Sequence, residues 1–125
     1  MLSRFQDYTE SVKPLLDEGF TYQLSSLLGY AGLPSDNGSK VLTGGKRIRG
    51  SLVCMVSATL GGALEDALPR AIALELIQTA TLIHDDFVDQ HEQRRDLPAL
   101  WTLEGSRRPV LIGDIIFASA IQRMS

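Results

Sequence analysis

One stretch of the sequence decides the fold: residues 71–89 read AIALELIQTATLIHDDFVD. Its apolar residues are spread around the circumference of a helix instead of along one stripe, which is typical of a helix packed on all sides. Upstream, Glu65 and Asp66 favour the positive end of a helix, and Pro69 is tolerated in a first turn. We therefore predict a central helix from about residue 65 to residue 89. Its apolar set is Ala71, Ile72, Leu74, Leu76, Ile77, Ala80, Leu82, Ile83, Phe87 and Val88.

Two helices are predicted before this central helix. Residues 2–28 carry apolar side chains at three- and four-residue spacing among charged ones, which predicts an amphipathic helix that Pro14 or Gly19 could break or kink. Residues 29–45 are rich in Gly, Pro, Ser, Asp and Asn and predict a loop. A second helix is expected over about 45–60, ending where Gly61 can adopt a left-handed conformation.

A last helix is predicted over residues 108–124, and it is apolar on most of its faces. No alternation of polar and apolar residues indicates a strand, so the expected fold is a single all-α domain over residues 1–125. Four or five helices cannot cover both the central helix and the last one. Because a lone monomer would expose too much apolar surface, we expect a homo-oligomer or a complex with a complementary subunit.

Composition and charge exclude several classes of protein. The chain has 125 residues, of which 44% are hydrophobic and 22% charged, as in a folded globular protein. Its formal net charge of -3 disfavours a protein that binds nucleic acid through a basic surface. The one cysteine, Cys54, leaves no disulfide framework or zinc cluster and favours a reducing compartment. Residues 1–11 lack an apolar signal region and no apolar run could span a membrane, so we expect a cytoplasmic protein.

Three carboxylates lie at the C-terminal end of the central helix: Asp85, Asp86 and Asp89. On a helix they meet at three- and four-residue spacing, and each such like-charge contact costs a few tenths of a kcal/mol. The negative end of the helix dipole adds to this cost. Clustered carboxylates without His or Cys are ligands for a hard cation, and Mg²⁺ suits a substrate that carries phosphate. The alternative interpretation is an acidic helix end exposed to water.

Two basic segments accompany these aspartates. Arg94 and Arg95 follow them, and residues 44–49 read GGKRIR before the second helix. Guanidinium groups match phosphate oxygens in pairs, and backbone N–H groups at a helix start bind anions. A P-loop is rejected, because Lys40 replaces its first glycine and Arg47 its Ser or Thr. The alternative for residues 44–49 is a solvated basic turn.

Taken together and in order, these motifs resemble one protein family. They are GGKRIR at 44–49, ELIQ at 75–78, LIHDDFVD at 82–89, Arg94-Arg95, and Gly113-Asp114 in an apolar helix. They look like the N-terminal part of a trans-polyprenyl diphosphate synthase, the family of farnesyl, geranylgeranyl and longer-chain synthases. The resemblance extends from Gly44 onward, whereas the first 43 residues match only in being helical. It implies a helical bundle of the isoprenoid synthase type.

The resemblance also implies an activity: a prenyltransferase that condenses isopentenyl diphosphate with an allylic diphosphate to give a longer polyprenyl diphosphate. In this family the three aspartates hold Mg²⁺ against the allylic diphosphate, whose departure leaves a carbocation. The double bond of isopentenyl diphosphate attacks this carbocation, and a proton is then lost. Neutralising the charge of the diphosphate makes it a good leaving group. The implied catalytic residues are Asp85, Asp86, Asp89 and Arg94. The implied substrate-binding residues are Lys46, Arg49, Gln78, Arg94 and Arg95.

Ala80 and Thr81 occupy the positions at which this family sets product length. Small residues there imply an open tunnel and a product longer than farnesyl, whereas the alternative for Ala80 is close helix packing. We assign no chemical role to His84, which is interpreted as a histidine on a helix face.

The sequence also departs from the family. Members are usually more than twice this length, and the second aspartate-rich motif and the downstream lysines that support the leaving diphosphate are absent. Asp96 stands where the family usually has Gly, and Gly50 where it usually has Pro. Three hypotheses follow: a truncated synthase, a half-size subunit of a split enzyme, or a non-catalytic subunit that binds diphosphate and assembles with a partner. The end of the chain within an apolar helix favours the first, and the intact charged residues disfavour the last.

Overall fold

The computed structural model describes residues 2–30, 45–88, 93–94, 97–98 and 108–124, with side chains described for 4–29, 45–85 and 111–124. The described residues form four helices, α1 (Leu2–Tyr30), α2 (Ile48–Thr59), α3 (Leu64–Val88) and α4 (Arg108–Met124). Two-residue strands β1 (Gln93–Arg94) and β2 (Leu97–Pro98) form an antiparallel pair, in which Gln93 faces Pro98. The all-α prediction is confirmed, although this short pair was not predicted. The predicted loop falls largely on residues 31–44, outside the described residues.

The central position of α3 is confirmed, because it packs against α1, α2 and α4. One apolar cluster joins α3 to α1 and α4, and a second joins it to α1 and α2. The first contains Phe20, Leu24, Leu28, Ala73, Leu76, Ala80, Ile83, Ile112, Ile116 and Ala120. The second contains Val12, Leu16, Cys54, Ala67 and Ala71. Helix α3 therefore carries residues of both clusters.

Helix α1 continues through Pro14 and Gly19, the two residues at which the sequence allowed a break or a kink. A proline inside a helix costs about 3 kcal/mol, but burial of each large apolar side chain returns about 1.5–3 kcal/mol. Leu16 and Phe20, just after the proline, are fully buried. Gly19 lies directly against the side chain of Ile72, which leaves no room for a Cβ atom. Tertiary packing thus overrides the local helix-breaking tendency.

Helix α2 ends as predicted and begins later than predicted. Its last turn closes with a hydrogen bond from the Gly62 N–H to the Ser57 carbonyl at 2.8 Å, and Gly61 is left-handed with φ 87°. At the other end, Arg47 precedes the helix with φ 58° and ψ 33°. Because this left-handed residue cannot belong to a right-handed helix, α2 begins at Ile48 instead of near residue 45.

Two helices leave apolar side chains in water. On α2 and at the residue that follows it, four apolar side chains at four-residue spacing are exposed: Ile48, Leu52, Val56 and Leu60. On α4, Leu111, Phe117, Ile121 and Met124 are exposed. The predicted excess of exposed apolar surface is therefore present, and the expectation of an assembly stays a prediction. Among the described residues, no helix is both long and apolar enough to cross a membrane.

Candidate functional site

A pocket of about 510 Å³ lies between the start of α2 and the middle of α3. We call it the basic pocket. It brings together three residues that the sequence singled out, Lys46, Arg49 and Gln78. Lys46 and Arg49 are exposed, so both cations are accessible to a solute. The described residues that line it are Gly45, Lys46, Arg47, Ile48, Arg49, Glu75, Gln78 and Thr79.

The backbone before α2 has two residues with positive φ. Gly45 has φ 136°, a value that glycine adopts without strain, and Arg47 is left-handed. For a residue with a Cβ atom, the left-handed conformation costs about 1–2 kcal/mol. The turn is therefore held by interactions of its side chains.

Arg47 supplies those interactions, because its side chain is only 3% exposed and points into the protein. Its Nε donates to Asp17 Oδ1 on α1 at 2.9 Å, and an Nη atom lies 3.8 Å from Glu75 Oε2 on α3. Its guanidinium carbon lies 3.9 Å from the centre of the Phe20 ring, a cation–π distance. A buried charge needs such partners. Arg47 thus links α1, α2 and α3.

Glu75 is the buried carboxylate in the wall of this pocket. Besides its contact with Arg47, its Oε1 accepts a 2.8 Å hydrogen bond from the Gly50 N–H in the first turn of α2. A proline at position 50 has no N–H to donate. A Cβ atom on Gly50 would lie 3.2 Å from Glu75 Cγ and 3.3 Å from the Ala71 carbonyl. Gly50, where the family usually has Pro, therefore has a structural role in this chain.

A second pocket of about 360 Å³ lies between the C-terminal part of α3 and α4. We call it the acidic pocket, and its lining is Thr81, His84, Asp85, Asp114 and Phe117. Asp85 is exposed. His84 Nε2 lies 3.4 Å from Asp114 Oδ1, and the His84 ring lies so close to Gly113 that a Cβ atom there would force the ring to move. His84 therefore joins α3 to α4 and is more than a histidine on a helix face.

The acidic pocket contains two carboxylates, which are suitable ligands for a hard cation such as Mg²⁺. Asp85 and Asp114 both present carboxylates to it, and Mg²⁺ in proteins is commonly held by one or two carboxylates together with water and substrate phosphates. Among the residues with described side chains, no group of three His, Cys, Asp or Glu could hold a metal ion. The side chain of Asp86, and Asp89 as a whole, lie outside the described residues.

The remaining predicted site residues are distributed as follows. Arg94 lies in β1 without a described side chain, and Arg95 lies outside the described residues. Ala80 is buried in the first apolar cluster, whereas the neighbouring Thr81 lines the acidic pocket. The Thr81 hydroxyl donates to the Ile77 carbonyl at 2.9 Å. The structure therefore brings the basic-pocket residues together and places Asp85 and Thr81 in the second pocket.

Sequence reasoning missed the roles of Asp17, Arg47 and Glu75. A carboxylate inside the apolar run of α3 was a usable signal for Glu75, since a buried acid needs a partner. The basic run at 46–49 did not show which cation points inward. Nothing local distinguishes Asp17 from the other acids of α1, because its partner Arg47 lies 30 residues later.

Comparison with known proteins gives the family. The Polyprenyl synthetase family profile matches residues 35–125. A short chain isoprenyl diphosphate synthase of Methanothermobacter thermautotrophicus is 44% identical over 82 residues, 66% of this chain and 25% of the relative. A geranylgeranyl diphosphate synthase of Mycobacterium tuberculosis is 33% identical over 107 residues, 84% of this chain and 31% of the relative.

Solved structures agree with this result. The crystal structure of an FPP/GFPP synthase from Zymomonas mobilis superposes with a TM-score of 0.80 at 29% identity, covering 100% of this chain and 46% of that one. The chain belongs to the polyprenyl synthetase family, as the resemblance of its motifs implied. It spans about a quarter to a third of the length of these curated relatives and corresponds to their N-terminal part.

Proposed function

We propose that this chain forms the diphosphate-binding part of a prenyltransferase that condenses isopentenyl diphosphate with an allylic diphosphate to give a longer polyprenyl diphosphate. The observation that carries the proposal is the basic pocket, which gathers Lys46, Arg49 and Gln78 from two helices. Family membership and the names of the relatives support this activity over the alternative of a non-catalytic, diphosphate-binding subunit. Residues 1–125 would then be one N-terminal portion of the helical bundle.

The basic pocket suits the diphosphate of isopentenyl diphosphate. Lys46 and Arg49 offer two cations and Gln78 an amide, all to the same space. Charge-assisted hydrogen bonds from such groups to phosphate oxygens are about twice as strong as neutral ones. The contact with Arg47 offsets the negative charge of Glu75 in the pocket wall. We assign Arg95 to the same diphosphate by its position in the family motif.

The acidic pocket suits the allylic diphosphate. Asp85, together with Asp86 and Asp89, would hold Mg²⁺ there, and Arg94 would bind the same diphosphate. When bound, Mg²⁺ supplies positive charge that stabilises the leaving diphosphate. These four residues are the proposed catalytic residues, and of them Asp85 has a described side chain in the pocket.

Product length would depend on the residues beside Asp85. Thr81 and Phe117 both line the acidic pocket, so the size of side chain 81 changes the room for a growing prenyl chain. Ala80 is buried in the helix interface, which supports the packing alternative for that residue. We propose a product longer than farnesyl, and a synthase that releases only farnesyl diphosphate would contradict this.

We further propose that the protein assembles, either as a homo-oligomer or with a complementary subunit. The exposed apolar residues of α2 and α4 support this proposal. A cytoplasmic location is proposed from the single, buried Cys54, which fits a reducing compartment.

Isothermal titration of the purified chain with isopentenyl diphosphate tests the proposed function. Arg49→Ala should weaken binding by about tenfold, the loss of one charge-assisted hydrogen bond. Arg123→Ala removes an exposed arginine of α4 and is the matched control, which should leave the affinity unchanged. Equal affinities for wild type and Arg49→Ala would refute the assignment of the basic pocket.

Turnover is tested separately with Mg²⁺, isopentenyl diphosphate and geranyl diphosphate, with Asp85→Asn as control. Diphosphate release that the control loses would show that the chain itself is catalytic. Binding without turnover would show that the chain provides the substrate sites and needs further helices to complete the reaction.

A further inference from the structure

We propose that Asp17 and Arg47 are positioning residues of the basic pocket: their ion pair holds the left-handed turn that directs Lys46 and Arg49 toward a diphosphate. The proposal rests on the proposed function of that pocket. It assigns a part in substrate binding to α1, although none of the described lining residues of the pocket lies on that helix.

Both carboxylate oxygens of Asp17 accept a hydrogen bond. Oδ2 accepts a 2.6 Å hydrogen bond from Lys13 Nζ one turn earlier, and Oδ1 accepts the 2.9 Å bond from Arg47 Nε. Asp17 is 37% exposed, so it sits at the edge of the protein with its acceptor directed at the buried guanidinium. Asp17 therefore bridges the partly exposed Lys13 and the buried guanidinium of Arg47.

The left-handed turn at Arg47 needs support from its surroundings. A left-handed non-glycine residue persists only where its surroundings hold it, and such residues are common at binding sites. Arg47 is held by Asp17 from α1, by Glu75 from α3 and by the ring of Phe20. Because the guanidinium is anchored in the interior, the backbone at Arg47 cannot relax into a right-handed conformation without breaking these contacts.

The side chains next to Arg47 are exposed, whereas that of Arg47 is buried. With Arg47 turned inward, Lys46 and Arg49 on either side of it are exposed at the pocket. The same arginine also lies beside Glu75, whose carboxylate would otherwise repel a diphosphate at the pocket wall. Loss of the ion pair that holds Arg47 would therefore disturb the pocket in two ways. It would change the backbone conformation of residues 46–49, and it would leave the negative charge of Glu75 without a cation.

The test is the affinity of the chain for inorganic diphosphate, measured by isothermal titration without Mg²⁺. Asp17→Asn removes the charge and keeps the shape, and we expect the dissociation constant to rise about tenfold. Glu18→Gln, an exposed neighbour on the same helix, is the matched control and should bind like wild type. Asp17→Glu retains the carboxylate and should restore most of the affinity, which a role in stability alone would not require.

The double variant Asp17→Asn/Arg49→Ala tests the positioning role of Asp17 separately from the proposed function of the basic pocket. If Asp17 acts through the pocket cations, Asp17→Asn should weaken binding much less in the Arg49→Ala background than in wild type. If Arg49→Ala weakens binding and Asp17→Asn does not, the positioning role is wrong and the pocket assignment stands. If neither substitution changes the affinity, both are wrong.

The positioning role can also be tested by NMR on the wild-type chain, which avoids variants that fail to fold. With ¹⁵N-labelled arginine, the Arg47 Nε–H should exchange slowly with solvent, because it is buried and hydrogen-bonded to Asp17. On titration with inorganic diphosphate, the Arg49 side-chain signal should shift more than that of Arg47. Fast exchange at Arg47, or an equal shift of both signals, would overturn the proposal.

Discussion

The basic and acidic pockets lie on successive turns of α3, and they differ in how their charged groups are held. In the wall of the basic pocket, Glu75 is buried and paired with Arg47 and the Gly50 N–H. In the acidic pocket, Asp85 is exposed and Asp114 is 61% exposed. The first pocket is therefore organised by contacts within the chain. The second presents carboxylates to solvent, where a cation can compensate them.

The largest expected effect comes from removing the residue that organises the basic pocket. Arg47→Ala leaves the buried Glu75 without its cation and should lower the free energy of unfolding by about 3 kcal/mol. Arg49→Ala, two residues away and exposed, should change it by less than about 0.5 kcal/mol. Urea unfolding measures both values. Equal losses for the two arginines would show that the inward position of Arg47 contributes nothing to stability.

The second-largest effect is expected from a substitution in the interface between α3 and α4, beside the acidic pocket. Gly113→Ala places a methyl group against the His84 ring and should lower the free energy of unfolding by about 2 kcal/mol, as expected for an overpacked interface. At Gly29 a Cβ atom would meet nothing within 4 Å, so Gly29→Ala should be neutral or slightly stabilising. Thermal unfolding compares the two variants. If Gly113→Ala were as stable as Gly29→Ala, the His84 ring could move aside at little cost and would not constrain the interface of α3 and α4.

A third experiment compares the two pockets by their need for metal. Diphosphate should bind the basic pocket with EDTA present, since Lys46 and Arg49 supply the positive charge. Binding at the acidic pocket should require Mg²⁺ and should weaken by about tenfold in Asp85→Asn. Calorimetric titrations with and without Mg²⁺ measure both. Binding that depends on Asp85 but not on Mg²⁺ would break the distinction between the pockets.

The smallest expected effect is a dependence of the free energy of unfolding on pH, caused by Cys54 in α2. Burial raises the pKa of the Cys54 thiol, one turn beyond Gly50 in α2, above its ordinary value of 9.0. The folded chain thus favours the neutral thiol, and the unfolded chain ionises at lower pH. The resulting stability is present below about pH 9 and is lost as the pH rises through the raised pKa.

Urea unfolding between pH 7 and pH 10 measures this dependence. The wild type should lose more stability over this interval than Cys54→Ala, which lacks the thiol. Parallel curves for the two chains would show that Cys54 does not contribute to the pH dependence.

Most of the fold was predictable because its signals are local. Glu65, Asp66 and Pro69 predicted the start of α3, and its apolar run predicted its central position. Gly61 predicted the end of α2. These signals depend on residues close in sequence. The motif residues Lys46, Arg49 and Gln78 were predicted to share a site, and the structure places them in one pocket. The course of α1 through Pro14 was not predictable, because it depends on packing against α3.

The sequence by itself determined the family, the approximate positions of the helices, and the charged residues Lys46, Arg49 and Asp85 that face the two pockets. Tertiary structure decided which of two nearby arginines points inward. Arg47 and Arg49 are chemically identical, and their difference arises from Asp17 on α1 and Glu75 on α3, residues distant in sequence. The cost of a left-handed backbone and a buried charge is offset only when these partners converge. Such convergence is a property of the folded chain, and no local pattern encodes it.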